Sequence, residues 1–206
     1  MWEMDYEDAI VEAAQRADRA VARAIRSYRD QKVTDEDDLT GVLVGNLQAE
    51  LHGVIGGLSW SVSVQRHSKS AAIEEERLGA DMLIYVEFET TKLEYSKGVL
   101  VRAKRVEARR RAFARREHEE FQAQCRRMLL HTPASYVFVC SRKQMRCGSA
   151  LLVSGASNRL VYDQCVWSSY RFFRELFRCQ IGDERITGPF ADQLHIPTLV
   201  NICATD

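Results

Sequence analysis

Asp81 opens the run "DMLIYVEFE" and Lys104 closes the run "VLVRAK". Both runs are rich in β-branched and aromatic residues, as strands are. A glycine-containing stretch separates them, so the two pair as neighbours, with Asp81 starting the first run and Lys104 ending the second, side by side if the register is right. Alternation puts Leu100, Arg102 and Lys104 on one face and Val99, Val101 and Ala103 on the other. Charged side chains on a face suited to burial need partners, and Asp81 beside Lys104 would supply one pair. The chemistry such a pair suits is phosphodiester hydrolysis. Carboxylates hold a hard cation such as Mg²⁺, the cation activates water, and a lysine neutralises charge that develops on the phosphate.

A second acid comes from upstream. Glu36 precedes Leu39 and Leu43 by three and seven residues, which turns it toward the core side of a helix. Two residues before Lys104 stands Arg102, which cannot ligate Mg²⁺ and keeps its proton. Three alternatives follow: another acid completes the site, Arg102 contacts phosphate, or the site has lost its metal. Glu87 shares Asp81's strand face but lies three pleats away, about 20 Å along an extended strand. Glu74, Glu75 and Glu76 lie just upstream of Asp81.

The elements that must position these residues read in the order α-α-β-β-β-α-β-β-α-(β). Ala9, Ile10, Ala13, Ala17, Ala20, Val21, Ala24, Ile25 and Tyr28 recur at helical spacing, giving a helix over about 5–30. Thr34 is the expected N-cap of a second helix, which runs to Gly56-Gly57. "LSWSVSVQRH" alternates with period two and reads as a strand. A long helix is expected over 105–130, stopped by Thr132-Pro133. "SYVFVCS" and "ALLVSG" read as strands, and "YDQCVWSSYRFFRELFRC" as an aromatic helix whose Trp167, Tyr170, Phe173 and Phe177 suit a core or a dimer face. "HIPTLVNICA" is a last short strand or a tail packed on the core. The expectation is one α/β domain over 1–206 with a mixed central sheet flanked by helices. It comprises an N-terminal helix (1–31), a core (32–140) and C-terminal strands and helix (141–206).

The stretch after Lys104 is strongly basic. Arg105, Arg109, Arg110, Arg111, Arg115 and Arg116 crowd it before Glu117, Glu119 and Glu120 follow. Arginine forks suit phosphate contacts, so this patch would hold a nucleic-acid backbone without reading sequence. The alternative is a solvated helix laced with ion pairs. Gln122 and Gln124 lie further along it.

"GAD" (Gly79-Ala80-Asp81), a hairpin and "KGVLVRAKR" (Lys97 to Arg105) together resemble the core of the PD-(D/E)xK nuclease superfamily. The resemblance covers roughly residues 34–140 and implies a restriction-endonuclease-like fold. It implies a metal-dependent nuclease cleaving DNA with Mg²⁺ or Mn²⁺, often in restriction or anti-phage defence. Asp81 matches the metal-binding Asp, Lys104 the catalytic Lys, and Glu36 the acid of the first helix, a second metal ligand. Arg102 departs from the pattern, standing where the family has an acid or Gln. It joins Arg105, Arg109, Arg110 and Arg111 as a candidate DNA contact. The departure supports an alternative, a catalytically degenerate nuclease-fold protein acting as a nucleic-acid-binding or assembly subunit. A third class is a protein-interaction module built on the N-terminal helix.

Bulk composition bounds these readings. The chain has 206 residues, 46% of them hydrophobic, and a formal net charge of zero, so nucleic-acid contact must come from a local patch. A chain this small would need a homodimer or a partner protein to surround duplex DNA. The six cysteines lack C-x-x-C spacing and suit reduced thiols. The five histidines lack metal-ligand spacing, and no Walker glycine loop or G-x-S-x-G is present. No apolar run reaches membrane-span length, and the expectation is a cytoplasmic protein without membrane partners.

Overall fold

The computed structural model describes residues 6–66, 78–106, 112–188, 194 and 196–206. Eight strands form one mixed sheet in the order β1-β2-β8-β3-β4-β5-β6-β7. The strands are β1 (Gly53–Ile55), β2 (Leu58–Arg66), β3 (Met82–Glu89), β4 (Glu94–Arg105), β5 (Ser135–Cys140), β6 (Met145–Ser149), β7 (Trp167–Ser168) and β8 (Thr198–Thr205). The helices are α1 (Tyr6–Arg29), α2 (Glu36–Glu50), α3 (Arg115–His131), α4 (Ala150–Gly155), α5 (Val161–Gln164) and α6 (Ser169–Phe177). The fold is α/β, a single domain with helices on both sides of the sheet.

Strand alternation builds two hydrophobic layers. Met82, Ile84, Val86 and Phe88 of β3, with Val99 and Val101 of β4, pack under α1, α2 and α6. Leu83 and Tyr85 of β3, Leu100 of β4, and Val137 and Val139 of β5 pack under α3 and α4. Trp60 lies edge-on to Phe88 and Phe177, 5.4 and 5.2 Å between ring centroids, and joins the sheet to α6. Phe173 and Phe177 are fully buried, so the aromatic helix serves the core.

β3 and β4 are antiparallel with Met82 opposite Val101, and β4 runs parallel to β5 from Leu100 to Arg105. β3 therefore ends while β4 continues for four more residues. That uneven end exposes β4 amides where a side chain, rather than a strand, must supply acceptors.

Several boundaries differ from the expectation for identifiable reasons. Asp35, not Thr34, caps α2, its carboxylate accepting from the Asp38 amide at 2.7 Å. α2 ends at Glu50, and Val54 and Ile55 belong to β1, which Gly56-Gly57 folds back onto β2. Arg105 is the last residue of β4, held opposite Cys140 by β5, and the helix begins at Arg115. "ALLVSG" is helical because the Ser149 hydroxyl accepts from the Leu151 amide and caps α4; the strand is the preceding "MRCGS". β8 is no tail: it lies inside the sheet, antiparallel to β2 and parallel to β3.

Candidate functional site

The uneven end of the β3–β4 pair gathers the candidate residues. Gly79, in the loop entering β3, has φ +77°, and a Cβ there would lie 2.4 Å from the Gln124 carbonyl oxygen. Only glycine allows this left-handed turn against the α3 backbone. The turn delivers Asp81 to the point where its amide donates to the Val101 carbonyl at 2.9 Å. From there the Asp81 carboxylate reaches along β4. Its Oδ2 accepts from the Ala103 amide at 2.7 Å, and its Oδ1 accepts from Arg102 Nη1. Both side chains are largely buried, 15% exposed for Asp81 and 11% for Arg102.

Glu36 does the same one step further along. It is the first residue of α2, on the opposite layer from α3, and reaches the site past the end of β3. Its Oε1 accepts from the Arg105 amide at 3.3 Å and from Lys104 Nζ at 3.0 Å. Lys104 Nζ also lies 3.8 Å from Glu117 Oε1 in the first turn of α3. Two carboxylates thus terminate two successive outward amides of one strand, about 7 Å apart by strand geometry. Where β3 would have continued the ladder, Asp81 and Glu36 replace it.

Asp81 takes Arg102 as its salt-bridge partner, the residue on its own strand face directly across the pair. Lys104, two residues on, takes Glu36 and Glu117 instead. The sequence-predicted Glu36, Asp81 and Lys104 therefore lie at one end of the sheet in two separate salt bridges, Asp81–Arg102 and Lys104–Glu36. Among the described residues no three His, Cys, Asp or Glu side chains group as metal ligands. Two oxygens on one Mg²⁺ lie within about 4 Å of each other, closer than the amides that hold Asp81 and Glu36.

The surroundings are partly basic and partly neutralised. Arg105 Nη1 donates to the Thr34 carbonyl, and its guanidinium lies 5.5 Å from the Tyr28 ring centroid. Arg142 lies over the same ring at 5.8 Å. Arg115 pairs with Glu119 at 2.9 Å and Arg116 with Glu120 at 2.8 Å, each one helical turn apart and strongly exposed. Those two are the ion-pair-laced face. Arg109, Arg110 and Arg111, and Glu74, Glu75 and Glu76, lie outside the described residues. Gln122 Nε2 donates to the Val153 and Ala156 carbonyls at 3.1 and 2.7 Å, tying α3 to α4. Glu87 sits opposite Ser96, at the far end of β3 from Asp81. Burial, aided by Glu89, pushes its carboxyl above the usual value.

Sequence reasoning missed Glu117 as a Lys104 partner, although it is the first-turn acid of α3. It also missed the amides of Ala103 and Arg105, whose exposure depends on β3 being shorter than β4. No helix among the described residues is long and apolar enough to cross a membrane. Comparison with known protein families, with curated proteins and with solved structures finds no match to this chain.

Proposed function

We propose that the chain is a metal-dependent nuclease of the PD-(D/E)xK kind, hydrolysing DNA phosphodiester bonds with Mg²⁺ or Mn²⁺. The observation that carries this reading is the convergence of Glu36, Asp81 and Lys104 from three separate elements onto the uneven end of the β3–β4 pair. Asp81 and Glu36 would hold the cation, which when bound supplies a Lewis acid and an activated water. The Ala103 and Arg105 amides hold the two carboxylates about 7 Å apart, so they would have to swing toward each other to share one cation. Lys104 neutralises charge on the scissile phosphate once its hold on Glu36 is shared. Arg102, released from Asp81, contacts a neighbouring phosphate oxygen through its fork.

The Arg102–Asp81 pair favours a second reading. A guanidinium already neutralises the carboxylate that would meet the metal, as expected of a nuclease fold kept as a nucleic-acid-binding or assembly subunit. Calorimetric titration of Mn²⁺ into wild type, Glu36→Gln and Arg102→Gln separates the two. The nuclease reading expects heat from wild type, more from Arg102→Gln because a repelling cation is gone, and none from Glu36→Gln. No heat from any of the three, with no cleavage of DNA, leaves the binding-subunit reading.

A further inference from the structure

The arginines of α1 are matched by acids along the middle of the helix and cease to be so in its last turns. Arg16 meets Glu12 at 2.8 Å, and Arg19 and Arg23 meet Glu50 at 3.2 and 2.6 Å. Arg26 has no carboxylate partner among the described residues. Arg29 has only its neighbour Asp30, at 3.2 Å, with both side chains about half exposed. Beside this end of α1 lies the turn between β5 and β6, closed by the Ser141 amide donating to the Gln144 carbonyl at 3.0 Å. It carries Arg142 and Lys143, which also lack carboxylate partners among the described residues. Arg142 Nε is buried without an acceptor.

β5 places that turn next to the candidate site, because Cys140 is paired with Arg105. Arg105 and Arg142 both lie against the ring of Tyr28, which is buried in α1. Cations from β4, the β5–β6 turn and α1 therefore follow one another from Arg105 to an open cavity of about 500 Å³. Arg26, Arg29, Lys143 and Ser168 line the cavity, and the buried Ile25 and Met145 give it an apolar floor. The one acid in this lining, Asp18, is already engaged: it accepts from the Ser169 hydroxyl and from the Tyr170 amide at 3.1 Å. The bland account is that cations at a helix C-terminus complement its dipole. That covers Arg26 and Arg29. It does not cover Arg105, Arg142 and Lys143, which reach the same surface from a strand and a turn in a chain whose formal net charge is zero.

We propose that this path holds an unpaired DNA strand, with phosphates on Arg105, Arg142, Arg26 and Lys143 and one base in the cavity. The inference rests on the nucleic-acid reading of the uneven β4 end given above, and it adds the form of DNA that this end takes. A single row of cations follows one backbone, as single-strand grooves do. The cavity is of a size that takes one small organic body, and its apolar floor suits the face of a base. A base paired and stacked inside a duplex could not enter it. A free nucleotide would call for a pocket that encloses it, whereas this cavity opens onto the cations outside.

The test is fluorescence anisotropy of a labelled single-stranded oligonucleotide, beside a duplex of the same sequence, in chelator so that cleavage plays no part. Wild type should bind the strand more tightly than the duplex. Arg26→Ala with Lys143→Ala should weaken strand binding about tenfold at low salt and lower the salt slope by about 1.4, the loss of two phosphate contacts. Arg19→Ala with Arg23→Ala removes the same charge from the face paired with Glu50 and should leave binding unchanged. Ala22 is exposed and lines the cavity, so Ala22→Phe fills it without altering charge and should weaken the strand while sparing the duplex. Circular dichroism melts check that each variant folds. Equal affinity of wild type for strand and duplex overturns the proposal. So does equal weakening by the two double variants, or displacement of the strand by an equal concentration of deoxyadenosine monophosphate. Strand binding as expected but no cleavage in Mg²⁺ fails the nuclease reading alone, and cleavage without these binding effects fails the path alone.

Discussion

The two ends of β4 handle buried charge in opposite ways. At its C-terminal end Arg102 meets Asp81, and Lys104 meets Glu36 and Glu117. At its N-terminal end Lys97 is more deeply buried and its amine lies 4.9 Å from the Tyr95 ring centroid. The difference follows from strand length. β3 stops at Met82, which leaves β4 amides for carboxylates to fill and brings acids to the cations. At the other end β3 and β4 stay paired to Glu89 and Glu94, so no edge is left open and a loop covers the lysine instead. A paired charge offsets its desolvation, whereas an unpaired one carries that cost into the folded state.

The contrast breaks most sharply at Asp81. Asp81→Ala leaves Arg102 and the Ala103 amide without this carboxylate and should cost about 3–5 kcal/mol, read by urea unfolding. The double variant Asp81→Asn, Arg102→Gln should cost less than the two single changes summed. Additive costs would mean the pair is incidental.

Asp183 sharpens the loop end. Arg185 above all, with Thr132 at 2.6 Å, holds its carboxyl well below the usual range. Because the folded value is depressed, the stabilisation is present above the unfolded value near 4 and is lost as pH falls through the folded value. Asp183→Asn should therefore lower stability by about 1–2 kcal/mol at pH 7. The deficit should close progressively below about pH 4. A deficit that is unchanged at low pH would mean the carboxylate charge is not what matters.

Lys97→Met should stabilise the protein by about 1 kcal/mol at pH 7. Burial depresses the folded pKa, so the penalty is present at low and neutral pH and disappears as pH rises toward the unfolded value near 10. The gain from the substitution should shrink over that rise. Destabilisation at every pH would show that the amine has a stabilising partner after all. The smallest effect belongs to the exposed pairs of α3. Replacing Arg115 and Arg116 together by Ala should leave the thermal midpoint unchanged, since such pairs contribute little.

Local pattern carried much of this architecture. The alanine stripe of α1 was legible because one helical face is wholly buried. The alternation of "LSWSVSVQR" predicted β2 because its burial alternates in the same way. Asp81 and Lys104 were legible as strand ends, and Glu36 as an inward acid from its spacing to Leu39. What was not legible depended on contacts distant in sequence. The central place of β8 rests on pairing with strands more than 100 residues away. That Asp81 faces Arg102, with Lys104 passed to Glu36 and Glu117, depends on a register that places Met82 against Val101. One residue of slip would have changed every partner. The burial of Lys97 likewise depends on a loop distant in sequence, packed against its stem at Gly182.

The most direct test of the uneven strand end as a nuclease site is plasmid cleavage in Mg²⁺ by wild type beside Lys104→Ala, both purified identically. Lys104 is part-exposed and near the end of β4, so its removal should leave the fold intact. The account predicts nicking or linearisation by wild type, abolished by chelator and reduced about 100-fold or more in Lys104→Ala. Equal cleavage by both proteins, or none by wild type in Mg²⁺ or Mn²⁺, would contradict it.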